Sequence, residues 1–196
     1  MTYIVGNNAK FEANYFAPDI VKIEPVQWRH WPTAPVLFTA AIPGVLRSVP
    51  LGLSGRKSPE EALLPWIQGT TEQVFVALKP NGAVVGLAAW DHDAFSRDRI
   101  CVDVFCHPQF WSQAAPLLDA ALARAPQRSR VAYADSDCPP KQAALVAAGF
   151  KSAATWPRRL AIDAAATRFA DMVMLEQAVS PQLSAISPEQ QKPKRR

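Results

Sequence analysis

Proline is the residue that most limits how this chain can fold. The 196 residues include 18 prolines, and seven of them precede Glu60. A proline inside a helix removes a hydrogen bond and clashes with the preceding turn, and inside a central strand it interrupts the ladder. The N-terminal third is therefore predicted to contain short strands, broken helices and turns. Within it we predict an edge strand over Asp19–Gln27, a helix over Trp31–Ala41 and a loop over Val45–Gly55.

Clearer signals of regular structure begin at Ser58. Ser58, Pro59 and Glu61 have the pattern of a helix start, and the helix is predicted to run to Gln68. Two apolar runs are separated by the turn-forming residues Lys79-Pro80-Asn81-Gly82, which predicts a β-hairpin of strands Val74–Leu78 and Ala83–Trp90. The later predicted elements are strand Ile100–Cys106, helix Trp111–Ala125, strand Arg130–Ala134, helix Pro139–Ala148, and strands Lys151–Ile162 and Met172–Ala178.

This order of elements predicts a mixed α/β (α+β) domain over residues 19–180. Its central sheet is expected to be mixed and mostly antiparallel, flanked by helices, with a late strand–helix–strand crossover. Residues 1–18 are predicted to form an N-terminal surface arm. Residues 181–196 are polar and basic, which predicts a disordered tail.

Composition excludes several classes of protein. Apolar residues make up 49% of the chain and charged residues 19%, which is typical of a globular protein with a core. No apolar run approaches the roughly 18 residues of a membrane-spanning helix, and the first ten residues lack the pattern of a secretory signal. The three cysteines have no zinc-like spacing, so we predict neither a metal site nor a disulfide framework, and we expect a cytoplasmic protein.

The net charge of +4 comes mostly from the C-terminus. Residues 187–196 carry four basic side chains and one acidic side chain, which leaves the rest of the chain near neutrality. A nearly neutral body does not favour nucleic-acid binding, because that function needs a basic face.

Three segments resemble the GNAT (GCN5-related N-acetyltransferase) superfamily. The hairpin Val74–Trp90 looks like its second and third strands. The segment Val102–Pro108 with the helix that begins near Trp111 looks like its fourth strand and the helix after it. Ala143–Phe150, which ends in Gly149-Phe150, looks like its late helix. The resemblance covers about residues 20–179 and implies the GNAT fold.

The resemblance implies acetyl-CoA or another acyl-CoA as co-substrate. In the family, a splay beside the fourth strand frees backbone groups for the pantetheine, and N–H groups at the start of the next helix hold the pyrophosphate. Carried over to this sequence, the cofactor-binding residues are Val104, Phe105, Cys106, Trp111, Ser112, Gln113, Ala114, Ala115 and Pro116.

Two features depart from the family pattern. The usual pyrophosphate loop has Arg or Gln followed by glycines, whereas here Trp111 is followed by Ser112, Ala114 and Pro116 near the glycine positions. Many members also have a tyrosine about five residues before the phenylalanine, which protonates the leaving thiolate. Here that position is Leu145.

Acylation of an amine needs a group that removes its proton. Asp103 lies within an apolar strand and is a candidate base or amine anchor, with a paired structural carboxylate as the alternative. His92, at the end of the third predicted strand, is a second candidate base that Asp91 or Asp93 would orient, with a solvated turn as the alternative.

These features predict an acyl-CoA-dependent N-acyltransferase that uses direct attack in a ternary complex. The alternative is a GNAT-like binding or scaffold module without catalysis, which the altered loop and Leu145 would suit. The acceptor is an amine whose class stays open, and exposed strands at the end of the sheet suggest a homodimer.

Overall fold

A seven-stranded sheet organises this protein in a computed structural model that describes residues 14–38, 43–46, 67–68, 73–93, 96–163 and 165–178. The strands are β1 (Lys22–Pro25), β2 (Val74–Leu78), β3 (Val84–His92), β4 (Arg99–Cys106), β5 (Ser129–Asp135), β6 (Lys151–Ala161) and β7 (Phe169–Gln177). The helices are α1 (Ala114–Leu122) and α2 (Pro139–Ala147). Short 3₁₀ helices cover Trp28–His30, Ala34–Phe38 and Pro108–Gln113.

The strand order is β1-β2-β3-β4-β5-β7-β6. Only the β4–β5 pair among these is parallel, and the other neighbours are antiparallel. The predicted mixed and mostly antiparallel sheet with flanking helices is therefore confirmed. The chain reaches β6 at the edge through α2, and β7 then returns between β5 and β6.

The predicted hairpin forms because its turn satisfies its own polar groups. The N–H of Gly82 donates to the Lys79 carbonyl at 2.9 Å, and Asn81 Oδ1 accepts from the N–H of Ala83 at 3.1 Å. Gly82 has φ +84°, which a glycine adopts without strain. Strand β2 has the predicted bounds, and β3 extends two residues further, to His92.

The predicted helix over Trp31–Ala41 is wrong. Its described part consists of turns and the 3₁₀ helix Ala34–Phe38, since Pro32 and Pro35 interrupt a regular α-helix. The predicted helix start at Trp111 is also wrong, because α1 begins at Ala114 after a 3₁₀ helix. Most of the predicted loop Val45–Gly55 and of the helix from Ser58 lies outside the described residues.

Each face of the sheet carries its own core. The first core, on the side of α1 and α2, contains Leu117, Leu118 and Leu145. The second core, on the opposite face, packs Leu37 and Ile67 against β2, β3 and β4.

The predicted arm lies partly within the described residues. Phe16 is buried in the first core, and Lys79 Nζ donates to the Tyr15 carbonyl at 2.7 Å, so the chain packs on the sheet from about residue 15. Residues 1–13 and 179–196, with most of the arm and the predicted tail, lie outside the described residues.

Candidate functional site

Strands β4 and β5 separate after a short paired stretch. Their parallel ladder joins Arg99–Cys101 to Ser129–Val131. Beyond it, β4 continues to Cys106 and β5 continues to Asp135. The two strands thus border a wedge at their carboxyl ends, which we call the β4–β5 opening. Backbone groups that face it need another partner, because a buried N–H or C=O must be hydrogen-bonded.

The register of β4 identifies the backbone groups that face the opening. The N–H of His107 donates to the Val85 carbonyl of β3 at 2.8 Å. Because backbone groups alternate between the two sides of a strand, those of Phe105 also face β3, whereas those of Val104 and Cys106 face the opening. Among the predicted cofactor contacts on β4, Val104 and Cys106 are therefore placed to pair with a ligand, and Phe105 is not.

Asp103 is held in a buried ion pair beside this opening. Asp103 Oδ1 lies 2.6 Å from Lys141 Nζ of α2, and both side chains are almost fully buried. The same oxygen accepts the N–H of Val104 at 2.8 Å. One of the two β4 N–H groups that face the opening is therefore bonded to a carboxylate of the chain itself. The structure places Asp103 as a paired carboxylate, which was the alternative to a free base.

The segment of residues 43–46 is bonded to Lys141 and to Asp135 at the opening. Lys141 Nζ donates to the Leu46 carbonyl at 2.7 Å. Asp135, at the end of β5, accepts the N–H groups of Val45 at 2.9 Å and Leu46 at 2.8 Å through Oδ2. A chain of hydrogen bonds therefore runs from β4 through Lys141 and Leu46 to β5.

Gly44 makes the close approach of this segment possible. Its φ is +100°, and a Cβ at this position would lie 3.0 Å from the Cβ of Cys138. The N–H of Gly44 donates to Asp137 Oδ2 at 3.1 Å. A larger residue would be strained in this backbone conformation and would push the segment away from the start of α2.

The predicted pyrophosphate loop is coiled into the 3₁₀ helix and the start of α1. The N–H of Ala114 donates to the Trp111 carbonyl, and Pro116 has no N–H. Ala114 is buried, whereas Ser112 and Ala115 are exposed at the start of α1. Gln113 closes the 3₁₀ helix, whose i→i+3 pattern uses its N–H. Of the predicted contacts from Ser112 to Pro116, the exposed Ser112 and Ala115 are therefore the two placed to offer an N–H to a phosphate.

His92 and Asp91 lie at the end of β3, beside the start of β4 and away from the opening. His92 opposes Ile100 and Asp91 opposes Cys101, where β4 and β5 are still paired. Asp91 Oδ1 accepts the backbone N–H of His92 at 2.7 Å, and the exposed imidazole lies 3.4 Å from Arg128 through Nδ1. His92 is three residues of β4 from the level of Asp103, or roughly 10 Å along a strand. The structure therefore does not bring these two predicted groups to the opening.

Asp93, the other predicted partner of His92, is bonded to a different side chain. Arg99 Nε donates to Asp93 Oδ2 at 2.6 Å. Hydrogen bonding to this carboxylate raises the pKa of Arg99.

The cysteines on β4 are not activated as nucleophiles. Burial raises the pKa of the Cys101 thiol to about 12 and raises that of Cys106 as well. A thiol reacts as the thiolate, so both remain unreactive near neutral pH. Within the described ranges no group of acidic, histidine or cysteine side chains is suited to hold a metal ion. No described helix is long and apolar enough to cross a membrane.

Comparisons with known proteins place this architecture. No protein-family profile and no curated protein sequence matches the chain significantly. Solved structures do match over most of its length. A GNAT superfamily phosphinothricin acetyltransferase from Sinorhizobium meliloti, in complex with AcCoA, has a TM-score of 0.63 at 18% identity, covering 81% of this chain and 88% of its own.

Two further structures agree with this match. An N-acetyltransferase from Staphylococcus aureus has a TM-score of 0.60 at 14% identity, covering 83% of this chain and 100% of its own. A ribosomal-protein-alanine N-acetyltransferase from Brucella melitensis has a TM-score of 0.58 at 16% identity, covering 80% and 99%. The chain has the GNAT fold. The fold implied by the sequence resemblance is thus confirmed, and the β4–β5 opening corresponds to the splay expected beside its fourth strand.

The GNAT fold of this chain lacks a proton donor at the expected position on α2. Leu145, which stands where many members have a tyrosine, is fully buried in the first core. An aliphatic side chain cannot protonate a thiolate, so any such step needs water or a group other than Leu145.

The sequence prediction missed Lys141 and Leu46 as residues that line the β4–β5 opening. A weak signal for Lys141 exists, because it lies four residues before Leu145 and so shares its buried helix face. The part played by Leu46 has no local signal, since it depends on a contact across 95 positions of the sequence.

Proposed function

We propose that this protein is an acyl-CoA-dependent N-acyltransferase that transfers an acetyl group to an amine by direct attack in a ternary complex. The observation that carries the proposal is the separation of β4 from β5 within a GNAT fold. The acetyl-CoA complex of the Sinorhizobium meliloti neighbour supports acetyl-CoA as the co-substrate.

In this proposal the N–H of Cys106 supports the reacting thioester. It faces the opening by the alternation of β4, and a donor aimed at the carbonyl stabilises the negative charge that develops during attack. The pyrophosphate is held at the start of α1, where the N–H groups of Ser112 and Ala115 combine with the positive end of the helix dipole.

Asp103 is the one of the three predicted catalytic groups that lies at the opening, whereas Asp91 lies roughly 7 Å and His92 roughly 10 Å away along the strand. Because Asp103 is already paired with Lys141, the attacking amine gives its proton to water in this proposal. The leaving thiolate takes its proton from water, because Leu145 has none to give. The acceptor in this proposal is an amine.

Calorimetric titration with acetyl-CoA tests the proposal, with CoA and a longer acyl-CoA alongside. Ala115→Glu places an acidic side chain at the start of α1, where it favours the helix but repels a pyrophosphate. We expect acetyl-CoA binding that this variant weakens at least about tenfold, equivalent to about 1.4 kcal/mol.

Ala123→Glu is the matched control, since Ala123 is also exposed but lies at the far end of α1. It should bind acetyl-CoA as the natural sequence does. If the folded protein binds none of the three ligands, the enzyme proposal fails and a non-catalytic binding module takes its place. Equal weakening by both variants would reject the start of α1 as the phosphate site.

A further inference from the structure

Lys141 lies across the opening that the proposed function assigns to the thioester. Val102 and Val104, on either side of Asp103, belong to the first core, so the Asp103 side chain leaves the opposite face of the sheet. Leu145 belongs to the first core, so the buried side of α2 packs on that face of the sheet. The lysine therefore reaches from the α2 side to a carboxylate on the other face, and it passes between β4 and β5.

The polar contacts of Lys141 use groups that a ligand in the opening would need. Its ammonium holds Asp103 Oδ1 at 2.6 Å, and that oxygen also holds the N–H of Val104. Its second contact, with the Leu46 carbonyl, fixes the segment that Asp135 anchors at the end of β5. An extended ligand that paired with β4 here would meet both the lysine side chain and an N–H that is already bonded.

The position of Lys141 in α2 gives its side chain another place to go. Pro139 and Pro140, at the start of the same helix, are exposed, so Lys141 lies within one turn of the surface. A lysine side chain has four methylene groups joined by rotatable bonds, so a change of rotamer can carry its ammonium to water. Because both charges are buried, withdrawal of the lysine alone costs free energy, and that cost lowers the affinity for any ligand that requires it.

We propose that Lys141 is an internal competitor that sets the affinity of the β4–β5 opening for acyl-CoA. In the structure its ammonium occupies the opening between Asp103 and Leu46, and acyl-CoA binds after it withdraws toward the surface. This inference rests on the proposed function. It identifies a residue that determines how tightly the protein binds its acyl-CoA co-substrate.

The test compares acetyl-CoA binding by the natural protein and by the double variant Asp103→Asn/Lys141→Ala. The double variant removes the competitor without leaving an unpaired buried charge. If Lys141 competes, the opening is available at all times in the variant, and the Kd for acetyl-CoA falls at least about tenfold. Glu24→Gln is the control, because it removes another buried carboxylate, from the edge strand β1 three strands away from β4, and should leave the Kd unchanged.

Each outcome decides the proposal. Tighter binding by the double variant supports it, and so does binding by the double variant alone. Binding by the natural protein with no gain in a folded double variant overturns it while the proposed function stands. If neither protein binds, both the proposed function and this inference fail.

A second measurement does not depend on the fold of the variant. Withdrawal of Lys141 brings its buried ammonium to solvent, so labelling of Lys141 by an amine-reactive reagent, located by mass spectrometry, should become faster in the natural protein when CoA is bound. Slower or unchanged labelling of Lys141 in the presence of bound CoA would contradict the proposal. The variant Asp103→Asn/Lys141→Met, which keeps a side chain of similar length, replaces the alanine variant if that one does not fold.

Discussion

At the scale of single residues, Asp103 and Lys141 depend on each other for their burial. Removal of one partner leaves the other charged and desolvated, whereas removal of both leaves no unpaired buried charge. We expect Lys141→Met alone to lower the free energy of unfolding by about 3–5 kcal/mol. Asp103→Asn/Lys141→Met should lose markedly less than the two single variants together, as measured by chemical denaturation.

A double-mutant cycle gives the control for this expectation. Each single variant and the double variant are measured in the same buffer, and the coupling is the departure from additivity. Additive losses would mean that the two groups do not stabilise each other and that the 2.6 Å contact contributes little.

Glu24 and His30 form a second buried polar group, and this one responds to pH. Hydrogen bonds from Lys22, Arg29 and His30 lower the pKa of Glu24 to about 2, and burial lowers the pKa of His30. His30 Nε2 lies 2.9 Å from Glu24 Oε1, and His30 Nδ1 accepts the N–H of Gln27. The fold therefore favours a charged Glu24 and a neutral His30.

Both shifts make the protein lose stability in acid. The unfolded chain protonates His30 near pH 6.5 and Glu24 near pH 4.5, before the folded chain does. The free energy of unfolding should therefore decrease from pH 6.5 downwards and decrease further between pH 4.5 and about 2. Denaturation curves from pH 7 to 3 check this, and Glu24→Gln should flatten the lower part of the profile. An unchanged profile in that variant would assign the acid loss to other groups.

At the scale of elements, local chemistry made most strands predictable. The hairpin of β2 and β3 follows from two apolar runs and the turn residues between them, and β4 and β5 follow from short apolar runs. The start of α1 was set three residues early, because the helical spacing that predicted it comes from residues 117–122, whereas Trp111 to Gln113 forms 3₁₀ turns after a kink at Phe110. The start of β7 was set three residues late, since Phe169 and its neighbours pair with β6 through tertiary contacts and not through their own pattern.

Strand β6 is the element that we expect to mediate self-association. It is an edge strand of 11 residues, nearly all of them exposed, and Trp156 is 38% exposed. An exposed edge offers unpaired backbone groups to a second copy. We propose that the protein forms a dimer through β6, with a mass by light scattering of twice its 21.4 kDa.

Substitution at this edge tests that proposal. Trp156→Lys should shift the protein toward the monomer, because it places a charge in the middle of the contact. Trp28→Lys, which changes a more exposed tryptophan near β1 at the other edge, is the control and should leave the mass unchanged. A natural protein that is monomeric at all concentrations would contradict the expectation.

At the scale of the whole molecule, the sequence could identify the fold but only part of the site. Asp103 was noticed because a carboxylate stands out in an apolar strand. Its partner Lys141 lies 38 positions later in an alanine-rich helix, and Leu46 lies far before both. These residues meet only after the sheet has formed, so no local pattern could show that they share one opening.

The short ladder between β4 and β5 has a mechanical consequence. Strands β1 to β4 form one hydrogen-bonded leaf, and β5, β7 and β6 form another, while three residue pairs join the two leaves. A change in the angle between the leaves would stretch few backbone hydrogen bonds. Beyond the ladder, the two leaves are joined at the β4–β5 opening by the hydrogen bonds of Lys141 and Asp135 to Leu46.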